Sequence, residues 1–283
     1  MGGREATAGE MLADVVSDLV ARIGAKAPAA LDDEPDGVHQ LRTAVRRLRN
    51  VLAAFSQYVE PSVVGGLRAR LAEYSDRLGL ARDLEVRAAW CERFATEVGL
   101  GEALRENLVA PLLEEHARAH IALVAWAGSS DAEPLAAALS QWVEAPALAN
   151  GTARPASAVA REVLAAQIER VLDQASGYQT DLVAAHGLRK ASRRLRHTAD
   201  AVTRPPAAVL GADAAALGEI GSQVQSLLGD HRDALLLVDH VRRSLPDDPG
   251  VRAAYASLVE AAEKAADAAI AAVPDVLAEL RAR

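Results

Sequence analysis

The 283-residue sequence predicts an all-α protein, made of two antiparallel helical bundles related by a pseudo-twofold axis. Three observations predict this class. Aromatic residues make up only 3% of the chain, whereas the helix formers Ala, Leu, Arg and Glu are abundant. Alternation of apolar and polar residues, which is typical of strands, is essentially absent. The chain also contains an internal duplication, which predicts two bundles of similar construction.

The duplication rests on two motifs that occur once in each half. The pattern His-x-x-Arg-x-x-x-Arg-Arg-Leu-Arg covers 39–49 and returns at 186–196, an offset of 147 residues. The pattern Leu-Gly-x-x-Arg-Asp follows at 78–83 and returns at 228–233, an offset of 150 residues. Because chance would rarely repeat both motifs in the same order, they indicate a duplicated unit of about half the chain.

The boundary between the repeats is predicted at residues 150–155, where Gly and Pro interrupt regular structure. We therefore expect a first repeat over residues 1–150 and a second over 151–283, which together form one domain. A weaker apolar pattern over 12–20, which returns at 164–172, opens each repeat and supports the same division.

Helical periodicity and breakers predict the elements of the first repeat in order. The predicted helices cover 8–26, 37–59, 62–97, 102–127 and 134–144. Asp36 precedes the second helix as its expected N-cap, and Pro134 begins the last one. Gly79 lies in the middle of the long third helix, and because glycine is a poor helix former, we expect a break there.

The second repeat follows the same order. Its predicted helices cover 156–176, 181–203, 207–229, 231–244 and 250–281. Thr180 or Asp181 is the expected N-cap of its motif helix. The third and fourth helices are expected to separate at Asp230, directly after Gly229.

Positive charge is concentrated in the two copies of the first motif. The net charge of the chain is -8, but these copies contain nine basic residues and no acid, so the other 261 residues carry -17. A concentrated basic stripe in an acidic protein indicates a specific anion site. A nucleic-acid coat would make the whole domain basic, so no nucleic-acid partner is expected.

Each copy of this motif forms one basic face of a helix. In the first copy, four side chains fall within an arc of about 80°, with Leu41 and Leu48 opposite and Arg47 flanking the arc; the four are His39, Arg42, Arg46 and Arg49. Only the last arginine of the second copy has an acidic partner on its own helix, four residues further on. The repulsion within each face calls for an anion, either carboxylates of other helices or a ligand. Arginine favours bidentate contact with phosphate or carboxylate oxygens.

The two motif pairs resemble the CHAD family, the conserved histidine α-helical domain, over essentially the whole chain. The resemblance implies two four-helix bundles around a central basic cavity that binds inorganic polyphosphate. Residue by residue, it implies ligand contacts from His39, Arg42, Arg46, Arg47, Arg49, His186, Arg189, Lys190, Arg193, Arg194 and Arg196.

Arg82 and Arg232, from the second motif, are weaker candidates for ligand contact, because Asp83 and Asp233 beside them offer structural ion pairs instead. A polymer suits the basic faces better than a small anion, since a helix rises roughly 15 Å along the motif. DNA does not suit them, because the stripes carry no aromatic residue for base stacking.

We therefore expect a non-catalytic polyphosphate-binding protein that uses no cofactor and no metal. The sequence has no Walker-type glycine loop, no G-x-S-x-G elbow and no dinucleotide fingerprint. Two alternatives stay open: an enzyme that processes a phosphate polymer, and an interaction module whose basic faces bind an acidic protein. His116 and His120 have the spacing of a helical metal pair, but without a third ligand we interpret them as a surface pair.

The remaining composition indicates the cytoplasm. Cys91 is the only cysteine, which excludes an intrachain disulfide and a thiolate zinc cluster, and we expect it to be buried and inert. No apolar run reaches the roughly 18–20 residues of a membrane span, so no membrane partner is expected. The N-terminus lacks the apolar segment of a signal peptide. We expect a cytoplasmic protein associated with polyphosphate granules.

Overall fold

The structure is a computed structural model that describes residues 5–245 and 247–283. This part of the chain is all-α, as predicted, with two isolated bridges and no strand. The expectation of a missing signal peptide falls partly on residues 1–4, which lie outside the described residues. The helices are α1 Ala8–Leu31, α2 Gly37–Ala54, α3 Pro61–Glu97, α4 Glu102–Ala127, α5 Glu133–Glu144, α6 Ala156–Asp173, α7 Leu182–Thr203, α8 Ala212–Arg243, α9 Pro249–Ala271 and α10 Val273–Arg281, with a 3-10 turn at Ser56–Tyr58.

Two predicted helix breaks are wrong. Helix α3 continues through Gly79 for its full 37 residues, and α8 continues through Gly229 and Asp230 for 32 residues. A glycine inside a helix costs only about 1 kcal/mol relative to alanine, which the packing of so long a helix offsets. The last predicted helix, 250–281, is not continuous as expected: it is divided into α9 and α10 at Ala272.

The predicted N-caps differ in outcome. The carboxylate of Asp181 accepts a 2.8 Å hydrogen bond from the backbone N–H of Val183, so this residue caps α7 as expected. Asp36 holds the N-cap position of α2 but has a φ of 64° and forms no side-chain capping hydrogen bond.

Most helices that follow one another in sequence pack together. The halves are joined where α2 packs against α7, α3 against α8 and α9, and α1 against α6. The larger apolar cluster contains residues from both sides of residue 150, and a smaller one lies among α6, α7, α8 and α10. Cys91 is buried, as predicted, and burial raises the pKa of its thiol to about 12. Within the described ranges, no helix is both long and apolar enough to cross a membrane.

Candidate functional site

Helices α2 and α7 are amphipathic in the way that the sequence predicts. Leu41 and Leu48 of α2, and Leu188 and Leu195 of α7, are completely buried. Most of the basic side chains of these two helices line two pockets beside α3 and α8.

The first basic pocket lies between α2, α3, α7 and α8 and has a volume of about 370 Å³. Both motif histidines line it, and so do two carboxylates, those of Asp83 and Asp233. Its arginines come from all four helices: Arg42, Arg46, Arg82, Arg87, Arg189, Arg193 and Arg232.

The second basic pocket lies between α2, α3 and α7 and has a volume of about 740 Å³. Asp76 and Asp83 supply its carboxylates. Its cationic side chains are those of Arg42, Arg46, Arg49, Arg68, Lys190, Arg193 and Arg194.

The two pockets adjoin, because Arg42, Arg46, Arg193 and Asp83 line both of them. We call the two together the basic site. Eleven cationic side chains line it against three carboxylates. Such an excess makes the site attractive to an anion with several charges.

Arg46 and Arg193 carry charge that the surrounding protein does not compensate. Among the described residues neither guanidinium forms an ion pair, and each has a buried Nε without a hydrogen-bond partner. Burial, and then the charges of Arg42 and Arg189, lower the pKa of Arg46 to about 10. Burial, and then the charge of Arg46, lower the pKa of Arg193 further, to about 8. Because guanidinium groups stay protonated in proteins, these shifts express a cost in free energy that a bound anion would reduce.

Asp83 bridges two arginines that belong to different helices. Its Oδ1 lies 3.2 Å from Nη2 of Arg42, and its Oδ2 lies 3.4 Å from Nη2 of Arg232. Arg232 also contacts Asp233 at 3.2 Å, so it has the ion pairs that the sequence offered as the alternative to ligand contact. Arg82 pairs with Glu85 at 2.8 Å rather than with the neighbouring Asp83.

Burial and neighbouring cations favour the neutral form of both motif histidines. Burial, and then the charge of Arg82, lower the pKa of His39. Burial, and then the charges of Lys190 and Arg189, lower the pKa of His186. A neutral imidazole offers one N–H donor to an anion in the first pocket, and protonation would add a second.

Arg47 and Arg196 line neither basic pocket. Arg47 lies 3.1 Å from Asp200 of α7 and lines a smaller pocket beside Arg22. The sequence paired Asp200 with Arg196, whereas the structure pairs it with Arg47 and, at 3.1 Å, with Arg204. Ligand contact by Arg47 and Arg196 stays a prediction.

Sequence reasoning missed two arginines of the basic site, Arg68 and Arg87. Neither has a basic residue at the matching position about 150 residues further on, so neither belongs to the two repeated motifs. Their spacing from Asp76 and Asp83 on α3 was the available signal. Asp76 follows Arg68 by 8 residues, Asp83 follows Asp76 by 7, and Arg87 follows Asp83 by 4. These successive intervals place all four residues on one side of a helix.

The interpretation of His116 and His120 as a surface pair is wrong. Their side chains are only 15% and 12% exposed, and each ring contacts a backbone carbonyl, that of Ala81 at 3.1 Å and that of Ala30 at 2.9 Å. Both rings serve the packing of α4 against neighbouring segments. No cluster of three or more potential metal ligands occurs in the part of the chain that the structure describes.

The sequence matches a family model described as the CHAD domain over residues 14–242. An uncharacterized protein of Mycobacterium tuberculosis is 29% identical over 219 residues, which are 74% of this chain and 40% of that protein. A protein from a second strain of the same species matches to the same extent. The chain thus spans about two-fifths of the length of these curated relatives.

Two solved structures share the fold. PptA from Streptomyces chartreusis aligns with a TM-score of 0.73 at 19% identity, over 96% of this chain and 99% of that one. The CHAD domain from the plant Ricinus communis aligns with a TM-score of 0.75 at 20% identity, over 99% of this chain and 93% of that one. At such identities the likeness concerns the arrangement of the helices.

Proposed function

The chain belongs to the CHAD-domain family, and from this premise we propose that it binds inorganic polyphosphate in the basic site without turning it over. One observation carries the proposal: Arg46 of α2 and Arg193 of α7 carry neighbouring, partly buried guanidinium groups that have a buried Nε and no carboxylate partner among the described residues. A fold that holds such charges together gains stability when an anion binds between them.

The anion that fits is an oxyanion with repeated charge. Guanidinium groups bind phosphate oxygens through two parallel hydrogen bonds, and the basic site offers ten of them besides Lys190. A single orthophosphate would engage only a few of these groups. A chain of linked phosphates can pass from the first basic pocket to the second along Arg42, Arg46 and Arg193, which line both.

The lining of the site argues against a nucleic acid. Neither basic pocket is lined by a Phe, Tyr or Trp side chain on which a base could stack. The acidic remainder of the chain would also repel a long duplex. A linear polyphosphate has no bases and therefore needs no aromatic surface.

We propose binding without catalysis because the sequence carries none of the glycine-loop motifs that position a phosphoryl group for transfer. The protein would then act in the cytoplasm as a polyphosphate-binding component, associated with polyphosphate granules. Storage, targeting and recruitment of another protein would all use the same basic site.

A titration with long-chain polyphosphate, followed by gel analysis of the chain length, tests the proposal. We expect a saturable isotherm and chains of unchanged length after prolonged incubation. Poly-glutamate of comparable charge serves as the control for a site that recognises an acidic protein. Shortened chains would indicate an enzyme, and binding of poly-glutamate but not polyphosphate would indicate an interaction module.

A further inference from the structure

Gly79 and Gly229 lie inside the long helices α3 and α8, one helical turn before Asp83 and Asp233 of the same motif. Glycine weakens a helix relative to alanine because it has more backbone freedom to lose. A glycine at the same motif position of two helices therefore calls for a local reason. Gly79 was expected to break its helix, but α3 and α8 are both continuous, so a helix break does not explain either glycine.

Each glycine lies against the guanidinium group of a motif arginine. A Cβ atom placed on Gly79 would lie 3.3 Å from Nη2 and 3.6 Å from Nε of Arg42. A Cβ atom placed on Gly229 would lie 3.2 Å from Nη2 and 3.5 Å from Nε of Arg189. The two contacts use the same atoms in the same order, and a methyl group at either position would crowd the guanidinium.

Other glycines of the long helices have different neighbours. Gly218 and Gly221 of α8 face α7 itself, where an added Cβ would lie 2.7 Å from Cβ of Ala199 and 2.8 Å from the carbonyl oxygen of Ser192. These two glycines let the helices approach. Gly24 of α1 is exposed, and an added Cβ would meet nothing within 4 Å.

We propose that Gly79 and Gly229 are positioning residues of the polyphosphate site, whose missing side chains let Arg42 and Arg189 lie against α3 and α8. This inference rests on the proposed function. One turn after Gly79, the carboxylate of Asp83 holds Arg42 at 3.2 Å, so glycine supplies the space and aspartate supplies the charge. A side chain in place of the glycine moves the guanidinium away from Asp83 and out of alignment with a phosphate in the first basic pocket.

A size series at each glycine tests the proposal. Because alanine and leucine are both strong helix formers, Gly79→Ala and Gly79→Leu differ in bulk rather than in helix propensity. We expect the affinity for long-chain polyphosphate to fall about threefold with Ala and roughly tenfold with Leu, as a charge-assisted hydrogen bond loses its alignment. The same series at Gly229 should give the same order. Helicity and melting temperature of the two alanine variants should stay unchanged or rise, and Gly24→Ala, the control, should keep wild-type affinity.

A double-mutant cycle separates positioning from a general structural effect. If Gly79 acts through Arg42, then Gly79→Ala should weaken binding in the wild-type background and have no further effect in the Arg42→Gln background. An equal loss in both backgrounds would contradict the proposal. If the wild type binds polyphosphate and the Gly79→Leu and Gly229→Leu variants bind it with the same affinity, the positioning role alone is overturned. Absence of polyphosphate binding by the wild type would overturn the proposed function and this inference with it.

Discussion

The side-chain amide of Asn50 donates a 2.9 Å hydrogen bond to Nδ1 of His197, the residue 147 positions further along the chain. The two residues follow the last arginine of each motif, so α2 and α7 meet at matching positions. His197 is only 4% exposed, and burial followed by the charges of Arg47 and Arg46 lowers its pKa well below 6.5. A neutral pair at this crossing fixes Arg46 and Arg193 one turn away without adding a further charge.

Charge reversal at the centre of the basic site should abolish binding. Arg46→Glu and Arg193→Glu should each weaken polyphosphate affinity by more than about tenfold, and the double variant should retain almost none, because each change replaces an attraction by a repulsion. Arg281→Glu makes the same change of net charge at an exposed site on α10 and serves as the control. A double variant with wild-type affinity and helicity would show that the ligand binds elsewhere.

Affinity should depend steeply on salt and on chain length. Each arginine–phosphate contact releases counterions, so log affinity should fall linearly with log salt, with a slope that reflects several contacts. Isothermal titration at several salt concentrations measures this slope. Orthophosphate should bind far more weakly than the polymer, since it spans only a small part of the two pockets. Equal affinities for the monomer and the polymer would contradict an extended site.

Two arginine substitutions should affect stability and affinity in opposite ways. Arg46→Gln removes a buried, unpaired charge, so melting temperature should stay the same or rise while affinity falls. Arg47→Gln removes one of the two arginine partners of the mostly buried Asp200, which should cost about 1–2 kcal/mol of unfolding free energy. Because Arg47 lines neither basic pocket, affinity should fall less than in Arg46→Gln. Thermal denaturation and binding titrations of both variants measure the two effects. A loss of affinity in Arg47→Gln as strong as in Arg46→Gln would support direct ligand contact by Arg47.

Removing the bridging carboxylate should strengthen binding. Asp83→Asn keeps the shape of the side chain but takes a negative charge from both basic pockets, so polyphosphate affinity should rise. The lost ion pairs to Arg42 and Arg232 are about one-third exposed, so stability should fall by no more than about 1 kcal/mol. Comparison of the two isotherms and melting curves provides the measurement. Weaker binding by Asp83→Asn would contradict this prediction and would mean that the lost orientation of Arg42 outweighs the removal of a negative charge.

Binding should strengthen as the pH falls through the titration range of the motif histidines. Burial and neighbouring cations lower the pKa values of His39 and His186 in the empty site, whereas a bound polyanion would raise them. The bound state therefore takes up protons at a pH where the empty state does not, and affinity rises as pH falls until both states are protonated.

The double variant His39→Gln, His186→Gln should flatten the affinity–pH curve between roughly pH 5.5 and 7.5 and keep the binding that the arginines supply. The nearby carboxylate of Asp233, whose pKa burial raises, remains in this variant, so we expect it to contribute a slope at lower pH. An unchanged slope over the whole range would assign the histidines to helix structure rather than to ligand contact.

The helical class, the two amphipathic motif helices and most of their ends follow from the local sequence. These features depend on periodicity and capping within a few neighbouring residues, as the burial of Leu41 and Leu48 and the cap at Asp181 illustrate. The prediction of a helix break from glycine alone was wrong where that glycine packs against another helix. Gly79 looked like a break because its partner, Arg42, lies on another helix and is invisible to a local pattern.

Which charges meet depends on how the helices pack. The packing pairs Asp83 with Arg42 and Arg232, and Asp200 with Arg47, each time across two different helices. It also left Arg46 and Arg193 without a carboxylate partner in the described chain. Electrostatic energy depends on distance and burial rather than on sequence separation, so a motif can show that a helix face is basic but cannot show which of its charges the fold neutralises.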